Sequence, residues 1–403
     1  MAGRTRSARR EPAELTLGAQ AAVVGRQAQH ASRPGRAEWR PVLRELNPGV
    51  FAFVMATGIV SIALTGDGLP FASAVLLAIG TVGYVGLVAV SGWRLVRWPR
   101  RMLADVVSPR GFAFLTFVAA SNVLAARLAL GGWRWPAVVL LVAGVLGWLL
   151  LGYGVPLGLI ADPRRRPSLD QVDGTWFDWV VGTQSIAVAA ATLGAVGPTT
   201  AVATVLAVVA TVCWAIGLVL YLLLAGIGLA RLLVRPVAAA ELVPAYWVFM
   251  GAAAITILAG ARLLALPDTL LSHGLLADVS LVLWSFCSWL IPFLVALGVW
   301  RHLVRRVPLR YDTGLWNIVF PVGMYGVASD QLGRAAGLRW LAALGGGEAW
   351  VALAVWLVVF AAMLVTGGRR LRGDLPGERS VRGRGEDAGD SRRIGDGQVQ
   401  RDA

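Results

Sequence analysis

The residues of this 403-residue chain that could do chemistry are few, and most of them point away from catalysis. Its two cysteines, Cys213 and Cys287, lie inside apolar runs, so neither a disulfide framework nor a cysteine-ligated metal is readable. Of three histidines, His30 sits in the N-terminal tail, and His273 with His302 is too sparse a pair for haem or a di-iron centre. No acid, base and metal ligands cluster, so an enzyme is not expected and no cofactor is implied. What recurs is a small polar residue among aliphatics: Gly58-Ile59-Val60-Ser61-Ile62, Ala120-Ser121-Asn122-Val123-Leu124, Thr183-Gln184-Ser185-Ile186-Ala187 and Ala254-Ile255-Thr256-Ile257-Leu258. Thr57, Ser61, Asn122, Gln184, Ser185 and Thr256 would supply neutral donors that replace part of an anion's hydration shell without holding it too tightly to leave. The competing reading is a packed bundle in which each hydroxyl bonds the carbonyl one turn back.

Three charges accompany them. Arg127 and Arg262 follow Asn122 and Thr256 by five and six residues, a matching depth at which two guanidinium groups would make a positive vestibule that concentrates anions. Snorkelling to lipid headgroups is the alternative. Asp330 stands at similar depth and either pairs with one of these arginines or carries a proton.

The elements that must position these residues are membrane spans. The chain is 57% hydrophobic and 15% charged, with 17 Trp and a mean hydropathy of +0.67. A backbone in hydrocarbon must satisfy its own hydrogen bonds, so helices of roughly 20 residues are expected. Ten are read, over 50–65, 71–92, 111–130, 135–153, 176–193, 199–225, 244–264, 277–299, 315–331 and 349–365. Arginine clusters follow each of the first four even spans: Arg94 to Arg110, Arg164 to Arg166, Arg231 with Arg235, and Arg301 to Arg310. The positive-inside rule then puts both termini in the cytoplasm of a multi-pass plasma-membrane protein. The net charge of +14 is largely this topology and calls for no nucleic-acid partner. Residues 1–45 and 368–403 are too polar to offset ordering entropy and read as disordered cytoplasmic tails around a transmembrane domain over 46–367. Ser61, Asn122, Ser185 and Thr256 recur at intervals of 61, 63 and 71 residues, the length of one helical hairpin. Five hairpins in the same sense close naturally into a ring, with the polar odd helices inside and the apolar even helices facing lipid.

The chain resembles the tellurite-resistance and dicarboxylate transporter family, which includes plant slow-type anion channels and fungal malate and sulfite transporters. The likeness covers about residues 46 to 366. It rests on Asn47-Pro48-Gly49 leading to Ala56-Thr57-Gly58-Ile59-Val60-Ser61, on Trp247 to Gly260, on Ile291-Pro292-Phe293 before Trp300-Arg301-His302, and on Phe320-Pro321-Val322-Gly323-Met324-Tyr325. The resemblance implies an all-α integral membrane fold of ten transmembrane helices, paired as five hairpins in quasi-fivefold arrangement around a central pore, with homotrimers in known cases. It also implies that Phe320 plugs the pore, and Pro321, by removing a backbone donor and bending the helix, is suited to push that ring towards the axis. The expected function is passage of small anions across the bilayer. Proton-linked transport of a C4-dicarboxylate, sulfite or tellurite through Asp330 is the alternative, and a non-transporting receptor or scaffold a third reading.

Overall fold

The computed structural model describes residues 46–161, 167–197, 199–267 and 269–371; the expected tails, apart from 368–371, and Arg164, Arg165 and Arg166 lie outside the described residues. The chain divides into Met1–Leu46 and Asn47–Ala403, and every helix below belongs to the second unit. Its long helices are α1 (Ala52–Gly66), α2 (Pro70–Arg97), α3 (Thr116–Leu130), α4 (Arg134–Ala161), α5 (Asp178–Ala195), α6 (Thr200–Val234), α7 (Trp247–Leu264), α8 (His273–Val299), α9 (Trp316–Ala335) and α10 (Arg339–Leu371). Among the described residues there is no strand. Eight of these helices, all but α5 and α9, are long and apolar enough to cross a membrane.

Each odd helix is entered through a 3-10 turn: Pro48–Phe51, Gly111–Leu115, Gly174–Phe177, Pro244–Tyr246 and Thr313–Leu315. Three of these turns carry the same cap, in which Asn47, Asp173 and Asp312 accept from the backbone N–H two residues on, satisfying a donor the helix cannot. The third and fourth turns touch so closely that a Cβ at Gly174 would fall 1.9 Å from the Ala245 carbonyl oxygen.

Sequential helices pack as hairpins, α1 with α2 through α9 with α10. The odd helices also pack on one another in order, α1 on α3, α3 on α5, α5 on α7, α7 on α9, and α9 back on α1. Burial follows this division: 72%, 78% and 83% of the apolar stretches of α1, α3 and α7 are buried, against 22% for α2, α4, α8 and α10. The even helices instead expose Val82, Leu150, Leu222, Val282 and Val358, a belt of large apolar side chains suited to hydrocarbon.

Several helix ends differ from the expectation. α2 runs on to Arg97, α6 to Val234 and α10 to Leu371, because the polar ends of a helix keep their backbone bonds after the apolar run stops. Residues 368–371 therefore belong to α10 rather than to a disordered tail. α10 also begins at Arg339 and takes in Gly345-Gly346-Gly347, which reads as a connection in sequence. Gly345 is there for close packing, since a Cβ would lie 2.3 Å from the backbone nitrogen of Asp330 on α9.

Candidate functional site

Thr57, Ser61, Asn122, Gln184, Ser185 and Thr256 are all buried, with partners on the even helices, on their own helix or, for Asn122 and Ser185, on each other. Thr57 donates to the Phe53 carbonyl at 2.7 Å and accepts from Trp356 Nε1 of α10 at 3.0 Å. Ser61 bonds Ser73 of α2. Asn122 lies against α4, where a Cβ at Gly144 would fall 2.6 Å from its Nδ2, and it donates across to Ser185 of α5 at 3.0 Å. Gln184 lies in the same way against Gly217 of α6 and donates to the Trp214 carbonyl at 3.1 Å. Thr256 donates to the Ala252 carbonyl, and Gly260, one turn on and on the same face, abuts Ser280 of α8. Of the residues expected to line a path, Thr57, Ser61, Asn122 and Gln184 each meet an outer helix, Thr256 bonds within its own helix, and Ser185 occupies the seam between α3 and α5. A buried polar group is least costly where a partner or a glycine lets the next helix approach it.

These contacts belong to a pattern the odd helices alone do not reveal. Each even helix sends one aromatic donor to the odd helix of the next hairpin. Tyr84 of α2 bonds Ser121 of α3 at 2.8 Å, Trp148 of α4 bonds Thr183 of α5 at 2.8 Å, and Trp214 of α6 bonds the Thr256 carbonyl of α7 at 3.0 Å. Trp284 of α8 bonds Ser329 of α9 at 2.9 Å, and Trp356 of α10 returns to Thr57 of α1. Tyr84, Trp148 and Trp214 each stand fourteen residues after the start of their helix, a spacing legible in the sequence once the even spans are aligned with one another.

Phe320 is fully buried on α9. Its surroundings follow from its neighbours at 100° per residue. Pro321 meets α7, its Cγ 2.8 Å from where a Gly251 Cβ would stand; Gly323 meets Ile59 of α1; Tyr325 bonds Ser288 of α8. The Phe320 direction falls between the α7 and α1 contacts, across the helix from the half-exposed Val322.

The charged residues part company. Arg127 is buried and bonded to hydroxyls: its Nε donates to Ser61 at 3.0 Å and Ser73 at 3.2 Å, and its Nη2 to Ser73 at 2.9 Å. Arg262 instead lines a cavity of about 150 Å³ with Asp67, Asp330 and Gln331, and its Nε is buried without an acceptor. Asp330 pairs with neither of them; its Oδ1 takes Arg334 Nε at 2.7 Å, one turn along its own helix, and its Oδ2 takes Gln331 Nε2 at 2.9 Å. The nearer partner prevails because an i,i+4 pair needs no span between helices. Asp67, in the α1–α2 turn, was not singled out by sequence. Burial, reinforced by the charge of Asp330 and opposed by Arg334, holds its carboxyl above the usual aspartate range.

At the other end of the bundle, the arginines that mark topology also clamp loops. Arg94 is buried in an ion pair with Asp105, Arg231 in one with Glu241 at 3.0 Å, and Arg301 donates to the Leu242 carbonyl.

Residues 45–364 match a family described as the voltage-dependent anion channel. An uncharacterized membrane protein of Mycobacterium tuberculosis is 51% identical over 148 residues, 36% of this chain and 75% of that protein. Two uncharacterized transporters of Methanocaldococcus jannaschii are each 23% identical. One match covers 66% of this chain and 77% of the relative, the other 79% and 92%. With the family match spanning most of its helical unit, the chain is a membrane protein that belongs to the voltage-dependent anion channel family.

Proposed function

We propose that all ten helices cross the membrane in quasi-fivefold arrangement, and that the odd helices enclose an axial path for small anions which Phe320 plugs. The observation that carries this reading is the closed order of packing, α1–α3–α5–α7–α9–α1, with Phe320 on the side of α9 turned between α7 and α1. Pro321 fixes its neighbour's direction, since a proline inside a helix bends it and its ring is wedged against Gly251. Because the polar side chains face outward, the bore is apolar around the Phe320 ring and holds back hydrated ions by size and by dewetting. Selectivity for anions then comes from the mouth, where Arg262 is held. Membership of the family and the transporter relatives support anion transport in general. The reading places the protein in the plasma membrane with both termini cytoplasmic and, from the family resemblance, in homotrimers with one path per protomer. Asp330 is engaged by Arg334 and Gln331, and proton-linked transport of a dicarboxylate, sulfite or tellurite is the second reading.

Purified protein in liposomes tests this. Phe320→Ala raises chloride and nitrate flux at least tenfold over the parent. A ring that merely packs a core would give no flux and a stability loss of about 3–5 kcal/mol. That result would remove the plug and, with a silent parent, the path itself.

A further inference from the structure

A cavity of about 400 Å³ lies where α8, an outer helix, ends beside the starts of α7 and α9. Its lining is of two kinds. Leu294, Val295, Leu297 and Val299 of α8, with Ile318 of α9, are apolar, whereas Arg301, His302 and Arg310 follow beyond the end of α8. The apolar part is continuous with the belt of exposed side chains, since Val295 and Val299 line the cavity and are also 47% and 46% exposed.

The basic part is held by the fold of the chain after α8. The helix widens into a π turn over Trp300–Val304, in which the Arg305 N–H reaches the Trp300 carbonyl at 2.9 Å, and Arg306 then takes a left-handed conformation at φ 53°. The chain is thereby turned back. Val307 N–H bonds the Arg301 carbonyl at 3.2 Å and His302 Nδ1 bonds the Val307 carbonyl at 2.8 Å, which brings Pro308 to Arg310 onto the cavity. A non-glycine residue at positive φ is costly, so packing maintains this reversal. Arg301 is anchored through Nη1 to the Leu242 carbonyl. Asp312 also lines the cavity, with its Oδ1 accepting from the Gly314 N–H, so the lining carries two guanidinium groups against one carboxylate.

We propose that this cavity binds an anionic phospholipid from the leaflet on the arginine-rich side, an acyl chain lying along Val295 and Val299 and the phosphodiester accepting from Arg301 and Arg310. A soluble phosphate would leave the apolar half unfilled, and a zwitterionic lipid would bring its own cation against the arginines. The volume falls within the roughly 300–1,000 Å³ of small-molecule sites. The site needs α8 in a bilayer but no transport activity, so its fate is separate from that of the anion path.

Binding is read by native mass spectrometry of the full-length protein in detergent, titrated with dioleoyl phosphatidylglycerol or dioleoyl phosphatidylcholine. The parent binds one phosphatidylglycerol per protomer about tenfold more tightly than phosphatidylcholine. Arg310→Gln lowers that affinity about fivefold, the factor expected of one arginine at an anionic lipid surface. Gly298→Leu lowers binding of both lipids, because Gly298 lines the cavity and a Cβ there meets nothing within 4 Å, so the added side chain occupies open space. Arg235→Gln, which alters an arginine outside the cavity, changes neither. Absence of a preference for phosphatidylglycerol, affinity unchanged in both Arg310→Gln and Gly298→Leu, or an equal loss in Arg235→Gln would overturn the site. Displacement of the lipid by an equal concentration of glycerol 1-phosphate would overturn it as well, leaving a soluble anion as the occupant.

Discussion

Arg127 and Arg262 stand at equivalent places on α3 and α7, yet one is sealed among hydroxyls and the other keeps a buried N–H without an acceptor. Both carry the same charge at the same end of the bundle. What separates them is the neighbouring hairpin: α2 supplies Ser73 to the first, whereas a cavity lies beside the second. A repeat in sequence therefore gives two residues the same depth without giving them the same task. Arg127 is a structural tie between three helices. Arg262 lines a cavity and has no such tie at its Nε.

The largest effect expected from this contrast is on the Arg127 side. Ser73→Val removes the acceptor of Arg127 Nη2 and the longer of the two bonds from its Nε, and stability falls by about 2 kcal/mol, measured by denaturation in detergent. Arg262→Gln removes a charge that has no bonded partner at Nε, so stability changes by less than about 1 kcal/mol. Anion flux, however, falls about tenfold. That is about 1.4 kcal/mol, well inside the ~4 kcal/mol that a unit charge exerts at about 4 Å under an effective dielectric of about 20. Equal destabilisation by the two substitutions would erase the distinction.

Acidification sharpens the contrast further. Because the Asp67 carboxyl is held above the ordinary range, it takes up its proton at a higher pH than a free aspartate, and one negative charge facing the Arg262 cavity disappears. Nitrate current then rises about twofold as pH falls, and stays flat in Asp67→Asn. Stability follows the same sign: the contribution of this group is present at low pH and is lost as pH rises through the folded value. The smallest change is expected from Arg334→Ala. Its exposed pair with Asp330 is worth about 0.5 kcal/mol or less, and flux changes less than twofold.

Much of the scaffold was legible before the structure. The hairpin repeat, the burial of the odd helices and the loops rich in arginine follow from composition and spacing. The direction of each polar side chain was not. Thr57 and Asn122 could be placed along their helices but not around them, because a helix in lipid has no polar side from which to read its rotation; neighbours set it, here Trp356 and Gly144. The partners themselves were hidden among apolar residues. Tyr84, Trp148 and Trp214 look like further hydrophobic bulk until their common spacing is set against the next hairpin's hydroxyls. Asp67 escaped for another reason: a carboxylate in a short turn is ordinarily a solvated one, and only the packing of α9 and α10 around it withdraws its Oδ2 from water.

The bond from Trp356 to Thr57 joins the fifth hairpin to the first. Because α9 already packs on α1, a chain truncated before α10 keeps that closure and, of the five aromatic latches, loses this one alone. The other side of this closure is freedom over where the polypeptide starts: a permuted gene opening at the second hairpin would retain every link of the hoop.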